Sequence, residues 1–118
     1  MSLRRGDVVL ARVPHTAGTR GKRRPAVIIQ ADNYNTKLRH AVVAEVTSGP
    51  QWVGDPACLL IDIGTPDGRA TGLHKNASIS CLHLVTMNTD RLGTPIGQLS
   101  PALIQQLNES LKAALQIS

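Results

Sequence analysis

The chain has 118 residues, of which 42% are hydrophobic and 18% charged, a composition that fits one globular domain and excludes a disordered polar chain or a membrane-spanning one. Its net charge of +5 is unevenly placed: residues 1–40 carry nine Lys or Arg against Asp7 and Asp32, and the rest carry four basic and six acidic side chains. This asymmetry points to a polyanion or an acidic partner segment at an N-terminal face, with a merely solvated face as the bland alternative.

Taken in chain order, Asp7–Val13 (DVVLARV) reads as the first strand, with Val8, Leu10 and Arg12 on one side and Val9, Ala11 and Val13 on the other. Pro14 ends it. Residues 15–24 (HTAGTRGKRR) have no hydrophobic period and predict a basic loop that includes Arg20, Lys22, Arg23 and Arg24. Pro25 opens the apolar strand PAVIIQ, as a first strand residue that need not donate to the ladder. After the turn residues 32–35, His40–Thr47 predicts a third strand, stopped by Ser48-Gly49-Pro50. Cys58–Ile63 predicts a fourth, Pro66-Asp67-Gly68 a tight turn, and Ile79–Met87 one or two further strands.

The last element differs. Ser100 can cap a helix and Pro101 suits its first turn, where the missing amide hydrogen would be unpaired anyway. Leu103, Leu107, Leu111 and Leu115 recur every four residues, which predicts an amphipathic helix over 101–115. Five or so short strands and one terminal helix make a mainly β domain, a small curved sheet or open barrel. No phosphate-binding loop of the G-x-x-x-x-G-K-[ST] form precedes a helix. The only aromatic residues are Tyr34 and Trp52, so a nucleic-acid surface would work largely without stacking platforms.

Metal and paired-carboxylate chemistry find little support. His15, His40, His74 and His83 are widely separated, and Glu45 and Asp62 read as separate strand positions. Cys58 and Cys81 lack a Cys-x-x-Cys spacing and read as reduced core or near-core residues of a cytoplasmic protein, since the basic start lacks the apolar segment of a signal peptide. The better site is the junction of the basic loop and the sheet. Arg24 can grip two phosphate oxygens through parallel hydrogen bonds, and the hydroxyls of Thr47 and Ser48, ending another strand, can reach a phosphate or sugar.

Five pieces then carry a family resemblance: RRGDVVLARV at 4–13, GTRGKRRPAVII at 18–29, AVVAEVTSG at 41–49, TGLHKNASIS at 71–80 and RLGTPIGQLS at 91–100. Together, and in this order, they resemble the MazF/PemK family of bacterial toxins. The resemblance spans nearly the whole chain, 1–118, as a single toxin domain. It implies an SH3-like small β-barrel of the MazF/PemK/CcdB type, acting as a homodimer. It also implies a cytoplasmic, metal-independent and cofactor-free endoribonuclease, an mRNA interferase. Such an enzyme cuts single-stranded RNA by attack of the 2′-hydroxyl, leaving a 2′,3′-cyclic phosphate, and is held by a cognate antitoxin with a largely acidic segment.

Carried over residue by residue, the family's arginine before proline falls on Arg24 and its strand-ending threonine or serine on Thr47, with Ser48 adjacent; Arg24 and Thr47 are the implied catalytic pair. Thr19 takes the place of a serine in the first loop, with Arg20 and Gly21 replacing an acidic-polar pair. Thr19, Arg20, Lys22, Arg23, Ser48, Lys75 and His83 are the implied RNA contacts. Two departures stand out: Lys75-Asn76-Ala77 replaces a lysine-aspartate-serine segment, and His83 and Val85 replace Gln-x-Arg. In this reading Arg24 stabilises the charged transition state, Thr47 positions phosphate or ribose, and His83 or His15 are candidates to shuttle a proton. Asn33, Tyr34, Asn35 and Gln51 are candidate base readers, with Asn33 and Asn35 equally good turn residues. The alternatives are a catalytically weak nucleic-acid-binding barrel and a protein-interaction module of the same fold.

Overall fold

The computed structural model describes residues 3–12, 23–48 and 54–118. Among them six strands form one sheet: β1 (Asp7–Arg12), β2 (Arg23–Ile28), β3 (His40–Thr47), β4 (Cys58–Ile61), β5 (Ala77–Asn88) and β6 (Gly97–Gln98). Their order is β4-β5-β3-β2-β1-β6, and every pairing is antiparallel. The sheet curls into a half-barrel. The chain leaves β5, makes a 3-10 turn at Thr89–Arg91, touches β1 through the Ala11–Leu92 bridge and adds β6 at the opposite edge. Among the described residues three helices complete the fold: α1 (Asp32–Asn35), α2 (Pro66–Arg69) and α3 (Pro101–Leu115).

β3 and α3 have the bounds that the sequence predicts. β2 starts earlier than expected because Arg23 and Arg24 already pair with Arg12 and Ala11. Pro25 is therefore its third residue, opposite Leu10, and not its first. β4 stops at Ile61, where Asp62 Oδ1 turns back to accept the Gly64 amide hydrogen at 2.8 Å. The expected turn at 66–68 winds into α2, since Thr65 Oγ1 accepts the Gly68 amide hydrogen at 3.0 Å and Pro66 follows the cap.

Alternation along the strands builds two apolar clusters, one on each face of the sheet. Val8, Val27, Ala44 and Val46 join Leu59, Ile61, Ile79 and the helix residues Leu103 and Leu107. Their neighbours Val9, Ala26, Ile28, Ala41 and Val43 form the second cluster with Leu3, Ala11 and Met87. β5 serves both faces by means of a bulge. Ser80 lies opposite Glu45 but Leu84 lies opposite Ala44, so Cys81, Leu82 and His83 are extra residues on one side of the ladder. An odd insertion flips the alternation. Ile79 and Cys81 thus face α3, while Val85 and Met87 pack in the second cluster.

Ser100 Oγ accepts the Leu103 amide hydrogen at 3.2 Å, Pro101 occupies the first turn, and Gln116 closes α3 in the left-handed conformation at φ 57°. Leu103 and Leu107 are buried, but Leu115 is 53% exposed, so the four-residue stripe outruns the core. Arg5 and Asp7, part of the N-terminal charge, are structural. Arg5 donates to Ile29 O at 2.9 Å and to Asn108 Oδ1 of α3 at 2.7 Å; Asp7 accepts from the Arg4 amide and from Gln98 Nε2. No helix among the described residues is long and apolar enough to cross a membrane.

The two cysteines are unequal. Cys58 is half-buried on β4, whereas Cys81 is buried against α3, and desolvation pushes its thiol pKa up to about 11. The Cys81 thiol therefore stays almost wholly protonated near neutral pH. We expect a maleimide probe to label Cys58 well before Cys81, as read by peptide mass mapping. Because folding raises this pKa, stability should fall as pH climbs from the unfolded thiol value towards 11. Equal labelling rates would contradict this placement.

Candidate functional site

A groove of about 910 Å³ lies at the end of the sheet just beyond the part that α3 covers. Leu10 and Pro25, a cross-strand pair, share its floor with Val46 and Ala77. Arg24 lines it from β2, and Thr47 and Ser48 line it from the end of β3. Continuing the Ala26–Glu45 pairing by two residues sets Arg24 opposite Thr47. The far side is the segment Gly72–Lys75, with Ile96.

That far side is held by backbone contacts that only glycine permits. A Cβ on Gly97 would come within 2.3 Å of the Thr71 carbonyl carbon, and one on Gly72, at φ 75°, within 2.1 Å of Ile96 O. Thr71 is fully buried, and its hydroxyl donates to Gly68 O at 2.6 Å and accepts the Leu73 amide hydrogen at 3.2 Å. The Gln98 amide donates to Ala70 O at 2.9 Å. Asn76 Oδ1 accepts the Ile63 amide hydrogen at 2.9 Å and fixes the chain beside Lys75.

Electrostatics give the groove its sign. Arg24 and Lys75 are its charged lining residues, His74 lines the far side with Lys75, and no carboxylate lines it. A guanidinium, an ammonium and two hydroxyls over an apolar floor can hold a phosphate with its sugar. A second depression, about 630 Å³, lies between β4 and α3, but its charged lining residues are Asp55 and Glu109. That sign is wrong for a polyanion. No group of three or more His, Cys, Asp or Glu converges as a metal site among the described residues.

The structure thus brings Arg24, Thr47, Ser48 and Lys75 to one groove, with Arg23 immediately before Arg24 on β2. Thr19, Arg20 and Lys22, with His15 and Gln51, lie outside the described residues. His83 does not line the groove; it sits exposed in the β5 bulge. Asn35 is taken up in bracing α1, donating to Gln30 O at 2.8 Å and accepting from Gln30 Nε2 at 3.0 Å. Asn33 and Tyr34, both exposed, lie with it on α1 and away from the groove lining.

Residues that sequence reasoning did not place here are Leu10, His74 and Ile96, which come from three separate segments. Ser78 is another. It pairs with Thr47 across the ladder, is 2% exposed, and its hydroxyl has no hydrogen-bond partner among the described residues.

A family model described as the PemK-like, MazF-like toxin of type II toxin-antitoxin systems matches residues 4–115. The chain belongs to the MazF/PemK family. It is 31% identical to the endoribonuclease MazF9 of Mycobacterium tuberculosis, with 98% of each chain covered. It is 27% identical to the endoribonuclease EndoA of Bacillus subtilis, covering 99% of this chain and 97% of that one. Among solved structures, it is similar to a mycobacterial endoribonuclease in complex with its cognate antitoxin, at TM-score 0.79 and 20% identity, covering 99% and 98% of the two chains. A MazE-MazF structure from Deinococcus radiodurans matches at TM-score 0.76 and 18% identity over the full length of both. The curled sheet with its C-terminal helix is the fold of MazF toxins.

Against that family pattern, the two departures have different consequences. Asn76 keeps a side-chain oxygen that accepts a backbone hydrogen bond, as a carboxylate would there. Val85 instead packs against the second apolar cluster, so β5 offers no cation at that position.

Proposed function

We propose that the groove holds the backbone of single-stranded RNA across Arg24 and Thr47 and cuts it by attack of a ribose 2′-hydroxyl on the adjacent phosphorus. The activity class, endoribonuclease, follows from the toxin family and from relatives named as endoribonucleases. The observation that carries the site is the meeting of Arg24, Thr47, Ser48 and Lys75 on a groove that no carboxylate lines.

In this reaction the 2′-hydroxyl gives its proton to solvent water as its oxygen bonds to phosphorus, and the bond to the next nucleotide's 5′-oxygen breaks, leaving a 2′,3′-cyclic phosphate and a 5′-hydroxyl. Charge builds on the nonbridging oxygens, and Arg24 stabilises it through parallel charge-assisted hydrogen bonds. A guanidinium keeps its proton near neutral pH, so its part is electrostatic. Thr47 and Ser48 orient phosphate and ribose, which places the internal nucleophile in line. His74, the imidazole that lines the groove, gives a proton to the departing 5′-oxygen. The reaction asks for no metal. Residues 1–118 work as one toxin domain in the cytoplasm. A second copy of the chain and an acidic antitoxin segment are the proposed protein partners, the latter competing with RNA for the cationic groove.

The test is cleavage of mixed single-stranded RNA in excess EDTA, with both product ends mapped. We expect sequence-biased cuts, cyclic-phosphate ends and a lower kcat in His74→Gln. Cleavage that requires an added divalent ion, or 3′-hydroxyl ends, would overturn the mechanism. Salt-sensitive RNA binding with no turnover would instead identify a binding barrel.

A further inference from the structure

The face of the sheet that floors the groove continues past it. Along β1, Val8 packs in the core, Leu10 floors the groove, and Arg12 is next on the same side. Along β2, Val27, Pro25 and Arg23 follow the same succession. The register pairs these residues rank by rank: Val8 with Val27, Leu10 with Pro25, Arg12 with Arg23. The apolar floor therefore ends in two guanidinium groups set directly opposite each other.

Like charges directly opposite on adjacent strands are destabilising. Both side chains are exposed, and neither forms an ion pair among the described residues, where the single salt bridge joins Lys112 and Glu109. Nothing in the packing accounts for a second arginine at position 12, because Arg12 supports neither cluster. An anion lying between the two forks would turn the repulsion into a pair of charge-assisted contacts. One rank along a strand is a step of about 6.6 Å, the scale of one nucleotide in an extended backbone.

We propose that Arg12 and Arg23 form a second phosphate subsite of the groove, which holds the RNA backbone one rank beyond the Leu10–Pro25 floor. The subsite rests on the reading of the groove as an RNA site and deepens it. It makes Arg12 a binding residue, gives the RNA a path along the β1–β2 ranks, and separates binding (Arg12, Arg23) from transition-state stabilisation (Arg24). Contact with an acidic protein segment would use the same chemistry, but continuity with the floor that meets Arg24 and Thr47 favours RNA.

The charge reversal Arg12→Glu separates the outcomes, because its two effects have opposite signs. Glutamate opposite Arg23 replaces repulsion with attraction, so thermal stability should hold or rise. Affinity for a random single-stranded 2′-O-methyl RNA, which cannot be cut, should fall about tenfold or more. The neutral variant Arg12→Gln should reduce the slope of log affinity against log salt concentration by about 0.7, the value for one lost phosphate contact on a single strand. In cleavage assays it should raise KM with kcat unchanged.

If the parent protein binds this RNA and both variants bind it with the parent's affinity and salt slope, the subsite is wrong and the groove reading stands. If the parent binds no RNA, both fall. Loss of affinity for a polyglutamate peptide, with RNA affinity unchanged, would overturn the subsite and assign the pair to a protein partner.

Discussion

Arg24→Ala is expected to lower kcat/KM for single-stranded RNA by about 10²- to 10³-fold, the usual cost of removing one donor aimed at developing negative charge. The fold should survive. Arg24 sits half-buried near the start of β2, and its side chain makes no hydrogen bond or ion pair among the described residues. Its backbone, which pairs with Ala11, is untouched by the change. Arg24→Lys should recover only part of the loss, since an ammonium keeps the charge but not the planar two-pronged grip. Single-turnover cleavage, with circular dichroism to confirm folding, reads both effects. Full activity in a folded Arg24→Ala protein would move the chemistry elsewhere.

The largest stability effect is expected at Leu107. It is fully buried midway along α3, and the cluster it joins includes strand residues Val8, Val27 and Ile79. Truncation to Ala should cost about 2–5 kcal/mol, combining lost burial with the cavity left behind. That is a large share of a typical domain stability of about 5–15 kcal/mol. The control is Leu115, the last residue of α3 and 53% exposed, where Ala should change stability by about 0.5 kcal/mol or less. Urea unfolding at one protein concentration compares the two. Equal losses would mean that Leu115 is covered in solution, as a dimer contact would cover it.

The same helix shows what was legible in the sequence. A capping serine, a first-turn proline and a four-residue leucine period are local signals, and they set the bounds of α3 correctly. β3 was equally clear, as an eight-residue apolar strand closed by Ser48. β6 was not, because its two residues are a strand only through pairing with Asp7 and Val8 and through the close approach of Gly97 to Thr71. The β5 bulge was hidden for a related reason. Its three extra residues are defined by register against β3, which a single strand does not encode.

The site divides in the same way. Arg24, Thr47 and Ser48 stand at ends of strands that the pattern itself marks, so their meeting was readable. Lys75 came through the family resemblance. Leu10 reaches the floor through its pairing with Pro25, and His74 and Ile96 reach the groove only because α2 and β6 fold the 71–76 segment against the sheet end. His83, singled out for its chemistry, follows the bulge outward and stays exposed. Arg12 was visible as a strand position, but its meaning came from the register that sets it against Arg23.

In the proposed reaction the substrate supplies its own nucleophile while Arg24 stabilises the charge. Once the preferred cut is mapped, the most direct test is an RNA with a single 2′-deoxyribose on the 5′ side of that bond. The modified strand should bind with unchanged affinity and not be cut there, because no 2′-hydroxyl remains to attack. Cleavage of that bond at the rate of the all-ribose strand would show that water or a protein group is the nucleophile, and would contradict the mechanism.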